Sequence, residues 1–264
     1  MTLKTLTAAA TILATLAAGI APAAADALAD IMAAKKIRVA TDMAIPPSGM
    51  LDPNLQPTGS DVETAKLLAA DWGLDLEFVQ TTGATRIPNL QTNKADIVIS
   101  TLSVTPQRAE VIDFSKPYAA LQSVVGAPKA STIAGWDDVR GQAITVTRGT
   151  TQDTELTGLA SEKGFTITRY DDDATMVTAA VSGQAKMVAT SATLVNQIGQ
   201  RNPDLAYEPK FVIRTFDLAI GLRKNEPELK AKLDEWVAVN LKNGKLNEIY
   251  QRFHGAALPA EMLQ

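Results

Sequence analysis

Residues 95–114 read ADIVISTLSVTPQRAEVIDF, and the parsing of this stretch decides the fold. Residues 96–100 form an apolar, β-rich run of the kind that makes a buried strand. Hydroxyls follow at Ser100, Thr101, Ser103 and Thr105, and Thr105-Pro106 opens a helix, because Thr suits the N-cap and Pro the first helical position. Counted from that cap, Arg108 falls in the first turn. A strand end, free hydroxyls, orphan helix N–H groups and a guanidinium fork all favour a carboxylate or a similar oxyanion. The alternative is an Arg that pairs with Glu110 or Asp113 nearby.

The same strand–helix alternation runs outward in both directions. A helix over 29–35 and a strand over 37–40 lead into Thr41-Asp42-Met43-Ala44-Ile45-Pro46-Pro47, a rigid loop at the carboxyl edge of that strand. Ligands sit at such edges in open α/β sheets. Ser60 with Glu63 reads as a capping box that opens a helix ending at Gly73. A strand over 74–79 and a short helix over 85–92 follow. The second half repeats this logic, with strands over 143–147, 165–170 and 186–190 and helices over 152–163, 174–182 and 193–200. One or two strands over 211–222 return, and helices over 226–243 and 246–253 close the chain. Such alternation predicts a mostly parallel sheet. Two extended crossings, near 119–127 and 211–221, predict an α/β fold of two Rossmann-like lobes joined by a two-strand hinge. Lobe 1 is expected over 26–121 and 216–264, and lobe 2 over 122–215. The cleft between them is the expected ligand site, and hinge closure the expected motion.

Composition removes several function classes. The 264 residues include 20% charged and 46% hydrophobic positions, with a formal net charge of −4. A weakly acidic chain without a basic run is a poor partner for nucleic acid. With no Cys and a single His, His254, neither a thiolate metal site nor a zinc cluster can be assembled. No cofactor and no metal are expected. Asp171-Asp172-Asp173 lacks calcium-loop spacing and reads as a solvated turn. At the N-terminus Lys4, an apolar run over 6–20 and Ala23-Ala24-Ala25 have the form of a signal peptide over 1–25. An exported, soluble and monomeric protein is expected.

With these residues in view, the chain resembles the periplasmic polar amino-acid binding proteins of ABC importers, the family 3 extracellular solute-binding proteins. The resemblance runs from about Lys36 to Gly255. It rests on IRVATDMAIPP, TGSDVETAKLLA, RIPNLQTNKADIVIS with TPQRAEVIDFSKPY, RGTTQ and LNEIYQRFHG, in that order. It implies a type II-like periplasmic-binding-protein fold and a receptor that delivers a carboxylate-bearing ligand, an amino acid, to a membrane permease. By position, the carboxylate-binding Arg matches Arg108, with Ser103 and the backbone of Ser100 and Leu102 beside it. The second-lobe carboxylate contacts match Thr151 and the turn at Gly149 and Thr150.

The departures bear on specificity. The family's aromatic side-chain clamp falls on Ile45, Ser48 and Ser60, so no clamp is present. The acid that pairs with the α-ammonium aligns with Ser191, which brings no charge. An uncompensated ammonium in a closed cleft is costly. Either another acid substitutes, with Asp42 the best candidate and Glu155 and the Asp171–Asp173 loop weaker ones, or the ligand is not an ordinary α-amino acid. The rival role of Asp42 is to accept a cationic side chain. Arg86 matches an Arg that reads a side-chain carboxylate in members taking dicarboxylic amino acids. It points to a small acidic ligand, unless it pairs with Asp96 or Glu77. Tyr118, Trp72, Trp136 and Trp236 read as core or hinge packing, and His254 as structural. Two other functions remain on this fold: a cyclohexadienyl-dehydratase-like enzyme, or the ligand-sensing subunit of a signalling receptor.

Overall fold

The structure, a computed structural model, describes residues 27–263, so the predicted signal peptide lies outside the described residues. The first half runs α1 (Ala27–Ala34), β1 (Lys36–Thr41), a small hairpin of β2 (Met50–Leu51) and β3 (Pro57–Thr58), α2 (Ser60–Trp72), β4 (Asp75–Gln80), α3 (Arg86–Gln91), β5 (Ile97–Val98), α4 (Pro106–Val111) and β6 (Asp113–Pro128). The second half runs β7 (Ala143–Thr147), α5 (Thr151–Lys163), β8 (Thr166–Tyr170), α6 (Asp173–Val181), β9 (Val188–Ser191), α7 (Ala192–Arg201), β10 (Tyr207–Leu222), α8 (Pro227–Lys242) and α9 (Lys245–His254).

The main sheet has the strand order β4-β1-β5-β10-β6-β9-β7-β8. β4, β1 and β5 are parallel to one another, as are β9, β7 and β8. Between these trios lie two long antiparallel strands, β6 and β10, paired from Leu222↔Asp113 to Tyr207↔Pro128. These are the two crossings, and the fold is the predicted α/β pair of lobes on a two-strand hinge. Their pairing shifts register at Pro209/Phe211, Val212/Arg214, Leu218/Ala219 and Ala219/Gly221. Each bulge bends and twists its strand, which lets one ribbon serve two differently inclined sheets.

The inner parallel strands β1, β5, β7 and β9 are largely buried, as their helical cover requires, whereas the edge strands β4 and β8 hold only exposed and half-buried positions. Ile37 and Val39 of β1, Leu68 of α2 and Ile97 of β5 form one core with Leu229, Leu233 and Trp236 of α8 and Leu246 of α9. The C-terminal helices therefore pack back onto the first half of the chain. In the second lobe, Ile144, Val146, Leu156 and Met187 form one cluster, and Met176, Leu194, Val195 and Ile198 another.

One predicted helix start is corrected. Ser60 is the first residue of α2, not its cap, and among the described residues no side chain caps this end. The cap position is Gly59 at φ +124°, where a Cβ would lie 2.3 Å from the Ser48 carbonyl oxygen. The loop after β1 presses too closely on this turn for any side chain. Glu63, freed from a capping box, pairs with Lys66 at 2.9 Å.

Candidate functional site

The first wall grows from the end of β5. Main-chain bonds clamp residues 102–104 to β10, from Ala219 N to Leu102 O (3.1 Å) and from Val104 N to Asp217 O (2.9 Å). Thr105 then caps α4, its side chain accepting from Arg108 N at 3.2 Å. The Arg108 guanidinium donates to Ser103 O (2.9 Å) and, across the cleft, to Gly149 O (3.3 Å). It makes no ion pair among the described residues, and Asp113 is engaged by Lys224. Burial, with Arg86 as the second cause, pulls the Arg108 pKa down to about 9, which leaves it charged at neutral pH. α4 has only 6 residues, so the expected helix-terminus field on this wall is small and the guanidinium is its anion donor.

The second wall is the start of α5. Thr150 caps it, accepting from Asp153 N at 3.2 Å. The first-turn N–H groups of Thr151 and Gln152 have no intrahelical acceptor, and both residues line the cleft. Gly149, at φ +74°, is where the lobes touch: a Cβ there would lie 2.7 Å from Ala84 Cα. Ile45 also crosses over, packing with Val124, Met176 and Leu194 of the second lobe. That contact contributes up to about 2 kcal/mol to the closed arrangement.

Between the walls is a cavity of ≈ 30 Å³. Arg86, Thr101, Ser103 and Arg108 face it from one lobe, and Thr150, Thr151, Gln152, Asp173, Thr190 and Ser191 from the other, with Ile45 and Leu121 as its apolar sides. This is room for a few water molecules, so a larger guest enters only as the lobes part. Ser100 and Leu102 stand one layer behind. Ser100 Oγ accepts from Asp42 N at 3.1 Å, and the Ser100 carbonyl accepts from Arg86 Nη1 at 2.7 Å. The lining residue between them is Thr101, held at φ +44°. A β-branched residue gives no sequence sign of that conformation.

Three buried carboxylates surround Arg86. Asp42 accepts from Ala44 N at 2.9 Å through Oδ1, while its buried Oδ2 has no hydrogen-bond partner among the described residues. Burial raises its pKa. Asp61 accepts from Tyr118 Oη (2.7 Å) and Thr101 N (2.7 Å), and burial lifts it to about 6. Asp173 accepts from Thr147 Oγ1 at 2.8 Å. Burial, with a further push from Asp42 on the opposite lobe, raises it to about 6 despite the Thr147 bond. Arg86 pairs with neither Asp96, which Arg38 holds at 2.6 Å, nor Glu77, which pairs with Lys36.

The solvated-turn reading of the three adjacent acids is corrected at Asp173. Asp171 is exposed and pairs with Arg148 at 3.1 Å, and Asp172 caps α6 by accepting from Thr175 N at 2.7 Å. Asp173, first in α6, is 3% exposed and lines the cavity. Its place after a parallel strand, at a helix start, was the available signal. Ser191 also lines the cavity, but its Oγ caps α7, accepting from Leu194 N at 3.1 Å. Glu155 is turned away toward Arg214, at 3.3 Å.

A second cavity of ≈ 240 Å³ adjoins the first. Ser60 lies here: its Oγ is 3.0 Å from His254 Nε2, and His254 Nδ1 is 3.5 Å from Thr193 Oγ1 of the second lobe. The one histidine thus links α9, α2 and α7 rather than serving its own helix alone. Burial pulls its pKa down to about 4.

The sequence pattern of the bacterial extracellular solute-binding proteins, family 3, matches residues 37–256. The chain is 25% identical over 224 residues to a probable histidine-binding protein of Neisseria gonorrhoeae, covering 83% of each chain. Among solved structures, it resembles the solute receptor for L-cysteine of Neisseria gonorrhoeae at TM-score 0.79 and 28% identity, over 86% of this chain and 92% of that one. It also resembles an ancestral amino acid-binding protein described as a precursor of cyclohexadienyl dehydratase, at TM-score 0.77 and 29% identity, over 86% of this chain and 99% of that one.

Proposed function

We propose that this chain, which belongs to the bacterial extracellular solute-binding proteins, family 3, captures a zwitterionic α-amino acid between its lobes and hands it on unchanged. The observation that carries this reading is the pairing of Arg108 with Asp173 around one small cavity. A cation on one wall and a carboxylate on the other suit a ligand with one charge of each sign. Its carboxylate takes the Arg108 fork, the Ser103 hydroxyl, Thr151 and the first-turn N–H groups of α5. Its ammonium takes Asp173, in place of the uncharged Ser191, with Asp42 behind. These contacts span both lobes and exist only when the lobes close, which is the differential binding that closure requires. Arg86 is embedded among Asp42, Asp61 and Asp173, which offset its charge, so it gives little reason for a second carboxylate on the ligand.

On this reading residues 1–25 are an export signal, the protein acts in the periplasm, and the closed form is presented to the permease of an ABC importer. The lobes are residues 26–121 with 216–264, and residues 122–215. Calorimetric titration tests the ligand class. L-Amino acids should bind at least tenfold more tightly than the matching amines, which lack the carboxylate, and than the N-acetyl amino acids, which lack the ammonium. Equal affinity for amine and amino acid would overturn the reading.

A second reading is carried by the acids. A cleft carboxyl with a pKa near 6 suits a general acid, and one structural neighbour is a dehydratase precursor. Release of carbon dioxide and water from prephenate, followed by ultraviolet absorbance, would establish it in place of simple binding.

A further inference from the structure

We infer that the ≈ 240 Å³ cavity is a second chamber of the amino-acid site, shaped for a long, uncharged side chain of the bound ligand. The inference rests on the zwitterion reading and names the substrate class. The two spaces adjoin, because Thr101, Leu121 and Ser191 line both. The smaller space, ≈ 30 Å³ among charged groups, suits the main-chain end of an amino acid and nothing beyond it. Any longer ligand must extend past Thr101 and Ser191.

The chamber exists because its walls are made of small residues. Ser48 and Ser60 project from one lobe, Ala119 and Ala120 from the hinge strand β6, and Ala192 and Thr193 from the other lobe. Leu246, Ile249 and Tyr250 of α9 supply the apolar side. The polar groups it offers are uncharged or already engaged. His254, whose burial keeps it neutral at pH 7, carries one donor and one acceptor nitrogen. Both oxygens of Asp61 are occupied, by Tyr118 Oη and Thr101 N. Arg86 offsets the charge of this carboxylate, so it does not call for a cation from the ligand.

Among the described residues, no Lys or Arg lines the chamber. An anionic side chain would therefore be buried without a partner, at a cost well above that of a neutral one. Glycine or alanine would leave the chamber unfilled and forgo its apolar contact. Side chains such as those of glutamine, methionine and tyrosine meet both conditions. Because Ser60 and His254 stand on one lobe and Thr193 on the other, a tail in the chamber also contributes to closure.

The test is calorimetric titration of the exported chain with L-glutamine, L-methionine, L-tyrosine, L-alanine, glycine and L-glutamate. It is repeated on S60F, which fills the chamber from α2, and on A257W, which fills it from an exposed rim position where folding is not at stake. At least one of the three long, uncharged ligands should bind tenfold or more tightly than alanine, and each filling variant should cut that ratio about tenfold, the scale of discrimination that a shaped pocket commonly supplies. Alanine binding as tightly as all three, glutamate binding best, or a ratio unchanged in A257W would each overturn the chamber while leaving the zwitterion reading intact. If none of the six binds, both fall.

Discussion

Arg108 is held by two main-chain carbonyls, those of Ser103 and Gly149, whereas His254 is held by two side-chain hydroxyls, those of Ser60 and Thr193. Ser103 is itself laid against β10 by the main-chain bonds of its two neighbours. Positions set by backbone do not depend on which side chains surround them, so the Arg108 end can stay constant while the ligand changes. The His254 end depends on which small residues happen to line it, and one substitution there would alter its shape. On the proposed reading, the shared amino-acid group lies at one end of the cleft and discrimination among amino acids at the other.

Breaking the constant end should have the largest effect. Arg108→Ala should weaken every amino-acid ligand by the same factor, roughly 100-fold or about 3 kcal/mol, the scale for loss of one partner of a buried charge pair. Calorimetry on a short and a long ligand reads this, and a loss confined to one of them would place Arg108 in discrimination instead.

Asp173→Asn should come next, at roughly 30-fold for every ligand with a free ammonium. It should also remove a pH dependence whose sign is set by burial. Asp173 holds its proton to about pH 6 in the fold, against an ordinary value of 3.8. Its contribution to the stability of the ligand-free protein is thus complete below about pH 4 and lost as pH rises through 6. Ammonium capture needs the ionised form, so affinity runs the other way and weakens as pH falls below 6. Asp61 shares the upward shift, so the difference between parent and variant, followed by thermal unfolding and titration from pH 4 to 8, isolates Asp173. A parallel pH profile in both proteins would assign the dependence elsewhere.

The smallest effect should come from Gly149→Ala, at the point where the lobes touch. The added Cβ would meet Ala84 Cα at 2.7 Å and must hold the lobes apart or force a local shift. Affinity should fall roughly fivefold, about 1 kcal/mol, for short and long ligands alike. The variant should also show a larger radius of gyration with ligand in small-angle scattering. An unchanged radius would mean that the turn yields and that closure does not depend on this contact.

Local signals carried the elements well. Thr105 caps α4 and Ala143–Thr147 is a strand as read, because capping and apolar runs act over a few residues. Gly59 shows where such reasoning stops. The pattern at Ser60 and Glu63 was a sound capping box, and it lost to the pressure of Ser48 from a separate loop. Asp173 shows the same limit in the site. In sequence it is one of three adjacent acids, and only the packing of α6 against Thr147 turns it inward while its neighbours stay outside or cap the helix.

The sequence by itself determined the two-lobed alternation, the two hinge strands and Arg108 with its surrounding hydroxyls, because each is written in contiguous residues with a period, a cap or a motif. The tertiary structure decided which acid faces the cavity between the lobes and how much space lies beyond it. Those depend on Asp173, Ser60, Thr193 and His254, which are brought together only when the lobes meet, and no spacing along the chain encodes that approach.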